Sequence, residues 1–250
     1  MLRRFALLLP LALWACSAPA PTFGSSGTLA PGSRLTVRTV NGAVSAYAPA
    51  VGQPKDRYTV SGFGKPGSPS GLVEKHGRDL MLCQAATARA AGCLREDPVA
   101  STPLRFLVRV PDRVSLDVRT LHGTINVSDI TGNVNAHSDD GNVKVMVEGY
   151  ANASARDGNV SVTFGSTDWP GTLHFSAQNG DVEIYVNAKA AARVHLHTGH
   201  GTIFTDFNLR GTSRGDSETI DGQIGGGNAR GIDVEVRNGS IRMLQLKPQV

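Results

Sequence analysis

The sequence predicts an all-β protein, a single-stranded β-solenoid (β-helix-like) built from strand-turn-strand coils of about 17–22 residues. Three observations lead there. Glycine supplies 29 of the 250 residues while charged residues make up only 18%, the balance of a turn-rich β protein. A repeat runs through the chain: LTVRTVNGAVSA, LDVRTLHGTINV, VNAHSDDGNVKV, ANASARDGNVSV, LHFSAQNGDVEI, VHLHTGHGTIFT, GDSETIDGQIGG and IDVEVRNGSIRM align on Gly42, Gly123, Gly141, Gly158, Gly180, Gly201, Gly222 and Gly239. Within the copies polarity alternates with a period of two, the pattern of strands with one face buried and the other wet.

Taken in order, residues 1–15 read as an export signal. Arg3 and Arg4 give a positive start, and Phe5 to Ala15 is an apolar run of eleven residues, too short for a stable bilayer-spanning helix. Its end, Leu13-Trp14-Ala15-Cys16, resembles the bacterial lipobox, in which the cysteine thiol takes diacylglycerol before cleavage. Trp14 departs from the small residue usual there. The competing reading is a secreted protein cut after Ala20, which places Pro21 directly after the cut. Residues 16–33 then form a lipidated Cys16 and a flexible tether rich in Pro, Gly and Ser. Ser17 after the cysteine favours the outer membrane, so the expected location is the bacterial cell envelope, anchored by lipid.

Residues 34–110 hold the first repeat copy and a less regular stretch of β coils. Two cysteines remain there, Cys83 and Cys93, an even pair for an oxidising compartment. A disulfide is the simple reading, clipping an Ala-rich insertion and stabilising by about 2–3 kcal/mol in the chain-entropy model.

Residues 111–246 are the regular array, with glycine spacings of 18, 17, 22, 21, 21 and 17. Seven positions before the glycine stand Leu35, Leu116, Val134, Ala151, Leu173, Val194, Gly215 and Ile232. Five before it stand Val37, Val118, Ala136, Ala153, Phe175, Leu196, Ser217 and Val234. Two after it stand Val44, Ile125, Val143, Val160, Val182, Ile203, Ile224 and Ile241. These columns point inward, and the columns between them are polar. Asn, Asp or His precedes every glycine, marking tight turns with positive φ. An antiparallel meander would need matching only within each hairpin, whereas matched columns along the whole array suit coils that stack and bury one another's apolar sides.

The run Leu107-Val-Arg-Val-Pro111, then Leu116-Asp-Val-Arg-Thr120, Gly123 and Ile125-Asn-Val127 resembles the signature of the bacterial adhesin-like DUF4097 family of β-strand-repeat proteins, over roughly residues 33 to 246. The resemblance implies a solenoid fold, an envelope location and an adhesive or scaffolding role. That family carries no established catalytic residues, so none transfers. The Cys83–Cys93 insertion and the stretch Gly225-Gly226-Gly227 depart from its pattern, and the latter predicts a loose or bulged seventh coil.

Charge narrows the function. The net charge of +4 falls to +2 without Arg3 and Arg4, too little for a polybasic nucleic-acid binder. Nucleotide and hydrolase motifs are absent, and Arg230 stands where a G-x-G-x-x-G motif would need its last glycine. No cofactor is therefore expected, and the chain reads as noncatalytic, binding a surface or envelope protein or glycan. Two alternatives stay open. His174 and His195 share one polar column, His197 lies two residues on, and Asp216 and Glu218 occupy the next copy; stacked in sequence order, these five could hold Zn²⁺, Ni²⁺ or Cu²⁺. Paired turn carboxylates among Asp140, Asp157 and Asp221 could instead cleave polysaccharide, although Asp also simply favours such turns. Trp169 is the one tryptophan outside the leader available to stack on sugar.

Overall fold

The computed structural model describes residues 20–65, 71–85, 93, 102–226 and 230–246. Cys16 and its tether start outside them, so lipidation is not addressed by the fold. The described chain is all-β. β1 (Phe23–Thr28) precedes the first repeat, β2 (Arg34–Asn41) and β3 (Val44–Tyr47). Four strands follow as an insertion: β4 (Arg57–Phe63), β5 (Gly71–His76), β6 (Asp79–Gln84) and β7 (Arg105–Arg109). The contiguous repeats are the pairs β8 (Ser115–His122) and β9 (Ile125–Ile130), β10 (Val134–Asp140) and β11 (Val143–Val147), β12 (Ala151–Asp157) and β13 (Val160–Phe164), β14 (Thr172–Asn179) and β15 (Val182–Asn187), and β16 (Ala192–His200) and β17 (Ile203–Thr205). A hairpin, β18 (Gly211–Arg214) and β19 (Ser217–Ile224), precedes the last pair, β20 (Gly231–Asn238) and β21 (Ile241–Leu246).

The first strand of every pair enters an eleven-stranded sheet, ordered β18-β19-β16-β20-β14-β12-β10-β8-β2-β6-β5. The second enters a ten-stranded sheet, ordered β1-β4-β7-β3-β9-β11-β13-β15-β21-β17. Neighbouring repeats pair parallel and column on column: Leu35 opposes Leu116, Leu116 opposes Val134, and Val134 opposes Ala151. Both sheets are nevertheless mixed. Antiparallel pairs β1–β4–β7 and β5–β6 close the N-terminal end, and β18–β19–β16 closes one sheet at the other. Such hairpins cover strand edges that a purely parallel stack would leave open.

The inward columns are the core. Leu35, Val37, Val44, Leu116, Val134, Phe175, Val182, Val234 and Ile241 are all buried, and both sheets contribute to one apolar cluster. The turn glycines explain why no other residue stands in their column. Gly141 has a φ of 145°, and a Cβ there would strike the backbone of Gly123; the same backbone-on-backbone contact recurs from Gly42 through Gly123, Gly141, Gly158, Gly180, Gly239 and Gly201. Some of the glycine carbonyls accept from a side-chain hydroxyl. Ser138 Oγ donates to Gly123 O at 2.9 Å and Thr198 Oγ1 to Gly239 O at 2.7 Å, which gives the buried Thr or Ser three residues before the glycine its purpose.

At the N-terminal end Gln84 substitutes for a further repeat. Its Oε1 accepts from Thr39 Oγ1 at 2.9 Å, Val40 N at 3.1 Å and Asn41 N at 3.0 Å, while Nε2 donates to Thr102 O at 2.9 Å. Cys83, next to it, is disulfide-bonded to Cys93 with Cα atoms 5.6 Å apart.

Two expectations fail at the other end. GDSETIDGQIGG is not a strand-turn-strand copy: Gly222 lies inside β19, opposite Val194 of β16 in an antiparallel ladder. Asp-Gly there is mid-strand because the antiparallel ladder with β16 holds it extended, with the end of the Leu209 side chain packed over Gly222. The repeats also do not stack in sequence order. β20 lies between β14 and β16, parallel to both, because the hairpin turns the chain back and the last copy has the same columns as either neighbour.

Candidate functional site

Outward side chains of the eleven-stranded sheet form two polar columns. One runs Asp117, Asn135, Asn152, His174, Asp233, His195, and the other Arg119, His137, Ser154, Ser176, Glu235, His197, each fixed by the parallel registers. The strands place these groups about 4.8 Å apart along each column, close enough to bond one another. Asn152 Nδ2 donates to Asn135 Oδ1 at 3.0 Å, and Asn152 Oδ1 accepts from His174 N at 2.9 Å. His137 sits 2.7 Å from both Ser154 Oγ and Asp139 Oδ1. Two shallow grooves, of about 490 and 640 Å³, meet at His174 and make one continuous trough.

The larger groove is edged by His174, Arg193, His195 and Asp221, with Asp233 between the two histidines. His174 Nδ1 lies 3.1 Å from Asp233 Oδ2, and His195 Nδ1 lies 2.7 Å from Asp221 Oδ1. Asp233 Oδ1 is enclosed with no hydrogen-bond partner. The bond to Asp221 raises His195 above the usual imidazole value; partial burial opposes it, and the charges of Asp221, Asp233 and Glu235 add to the rise.

The five residues expected as a metal set are therefore dispersed. His174 and His195 are two strands apart, separated by Asp233, and His197 bonds Thr219 Oγ1 at 2.9 Å. Glu218 Oε2 accepts from Ile203 N at 2.7 Å, and Asp216 faces His200 at 3.8 Å near the hairpin turn. Among the described residues no three His, Cys, Asp or Glu side chains converge as an ion site. The sequence-order stack put Asp216 and Glu218 beside His195 and His197; the antiparallel run of β19 puts Asp221 and Thr219 there instead, and the inserted β20 puts Asp233 and Glu235 on the other side, where β14 was expected. Asp233 could not be found from the sequence, since 59 residues part it from His174.

The turn carboxylates divide in the same way. Asp140 and Asp157 are parallel neighbours, whereas Asp221 is mid-strand on β19. Asn179 Nδ2, 2.6 Å away, and then Arg156 hold Asp157 below the usual carboxylate range. Trp169 is not a sugar platform: it is buried, its Nε1 donates to Gly231 O at 3.1 Å, and its ring packs edge-on to Phe164 at 5.6 Å.

No family model matches the chain, and no curated protein does. Three crystal structures of bacterial proteins were found to be similar. A candidate cell adhesion protein from Clostridium sporogenes is 11% identical, with a TM-score of 0.47 over 90% of this chain and 99% of that one. Candidate adhesins from Bacteroides fragilis and Parabacteroides merdae are 12% and 10% identical, with TM-scores of 0.33 and 0.24 over 92% and 91% of this chain and 100% and 98% of theirs. Similarity this weak carries no inference about what this chain binds.

Proposed function

We propose that this protein is a noncatalytic component of the bacterial cell envelope, anchored in the outer membrane by lipid on Cys16, with repeats wound as a β-solenoid that presents a binding face. Its role is adhesin-like or scaffolding, and its partner is a surface or envelope protein or glycan. The observation that carries this reading is the trough: a continuous polar face whose groups are bonded along the stack and so held in one arrangement before any partner arrives. The Cys83–Cys93 disulfide suits an exported protein. The resemblance of the Leu107–Val127 run to the adhesin-like family points the same way.

One mass spectrum tests the anchor. Protein extracted unreduced from membranes of the native host should weigh as residues 16–250 plus diacylglycerol and a fatty acyl group, less two hydrogens; an unmodified chain starting near Pro21 would overturn it. The face is tested by Ser176→Arg in the trough against Ser161→Arg on the outer side of the other sheet. Loss of cell attachment or envelope crosslinking with the first alone supports the reading.

A further inference from the structure

On the outer side of the ten-stranded sheet, under the loop joining β3 to β4, lies a pocket of about 250 Å³. Its polar lining is Arg57, Arg109, Thr59 and Gln53, and its edges are the apolar Pro49, Ala50 and Pro54; no carboxylate lines it. The strands bring the polar groups together. Thr59 and Arg109 are directly opposed in the antiparallel β4–β7 ladder, and Arg57 stands two residues before Thr59 on the same face, within diagonal reach of Arg109.

The pocket is held open before any ligand enters. Arg109 Nη1 donates to Ala48 O at 3.1 Å, and the guanidinium carbon sits 5.2 Å from the centre of the Tyr47 ring, which fixes the plane of the guanidinium. Gln53 N donates to Ala50 O and Asp112 N to Lys55 O, each at 2.9 Å. Pro49 and Pro54 further restrict the loop. Lys55, the other cation of that loop, is paired with Asp112 at 3.4 Å. No described carboxylate forms an ion pair with Arg57.

Two uncompensated guanidiniums in one concavity select an oxyanion, since their planar forks match its oxygens in pairs. The neutral donors and the apolar rim add contacts that a bare ion would not use, so the anionic group is carried on a compact body. The volume lies just below the roughly 300–1,000 Å³ of drug-sized sites, which leaves room for about one sugar ring. We propose that this pocket binds a small organic carboxylate of hexuronic-acid size. The proposal is independent of the trough, which lies on the other sheet.

Calorimetric titration of the full mature protein with sodium glucuronate, glucose and inorganic phosphate tests it. Glucuronate should bind saturably at one site, more tightly than phosphate, while glucose does not bind. Arg57→Gln should weaken glucuronate at least about tenfold with the melting temperature unchanged, and Arg57→Lys, which keeps the charge but not the fork, should recover part of the loss. The proposal is overturned by the absence of saturable glucuronate binding, by equal affinity in Arg57→Gln, by equal binding of glucose, or by phosphate binding as tightly as glucuronate.

Discussion

The repeats between Leu116 and Asn187 and those between Ala192 and Leu246 are written in the same pattern but assembled differently. In the first stretch each copy lies on the one before it, from β8 through β14 in one sheet and β9 through β15 in the other. In the second the last copy enters between the fourth and fifth pairs of the contiguous array, and Gly180 N donates to Asn238 O and Gly239 N to His200 O as though the chain had run in that order. Matched columns specify what kind of neighbour a strand needs. They do not specify which copy provides it, and where a hairpin turns the chain back, topology decides.

Paired cysteines give the largest contrast, because one pair should crosslink fully and the other not at all. Ser176 opposes Glu235 across β14 and β20, and Glu235 opposes His197 across β20 and β16. Ser176→Cys with Glu235→Cys places the Cα atoms within the roughly 4.4–6.8 Å that a disulfide spans. Ser176→Cys with His197→Cys places them two strands apart. A crosslink in the second pair alone would restore sequence order and remove the distinction between the two regions.

The glycine column comes next in size. Gly141→Ala combines backbone strain at φ 145° with a Cβ driven into Gly123, and should cost on the order of 3 kcal/mol. Gly52 also has positive φ, at 82°, but a Cβ there meets nothing, so Gly52→Ala should cost about 1 kcal/mol from strain alone. Denaturant melts of the two variants measure the difference. Equal costs would show that the turns need glycine for conformation and not for stacking.

Much of this was legible in the sequence, for a physical reason. Apart from the half-buried Ile203 and the GDSETIDGQIGG segment, where Gly215 is exposed and Ser217 half-buried, the inward columns fill the core as the alternation implied, because burial on a strand depends only on local phase. Positive φ at seven of the eight aligned glycines and the pairing of Cys83 with Cys93 are equally local. What was hidden depends on distant partners. Gly222 carries the same Asp-Gly signal as a turn, and its antiparallel ladder with β16 keeps it in a strand. His174 meets Asp233 across 59 residues, and Arg109 meets the Pro49–Pro54 loop after an inserted segment. No spacing rule announces either.

Gln84 tests whether the N-terminal end needs the satisfaction that repeats give one another. Gln84→Ala leaves Thr39, Val40, Asn41 and the Thr102 carbonyl short of a partner at a buried position, with an expected loss of about 1–3 kcal/mol. Gln84→Glu keeps the acceptor but loses the donor to Thr102, and should fall between the two. A neutral Gln84→Ala would mean that water replaces the side chain and that the end of the stack is wet.

The smallest effect belongs to the hairpin within the second region. His195 on β16 and Asp221 on β19 join it to the stack, with Asp233 and Glu235 facing His195 from β20 and Arg193 beside it on β16. The folded value of His195 is raised above the ordinary 6.5, first by the bond to Asp221. Protonated His195 therefore stabilises the folded chain fully below that ordinary value, and the contribution fades as pH rises through the raised one. Neither side chain is buried, at 45% and 73% exposed, so the effect should stay below about 1 kcal/mol. Amide exchange at Ile220 and Gly222, corrected for intrinsic rates, should accelerate as pH rises above the ordinary imidazole value and through the raised one, while amides of β10 and β12 do not respond. Asp221→Asn should lower the imidazole titration of His195 seen by NMR and flatten that dependence; if it moves neither, the hairpin is held by its backbone ladder alone.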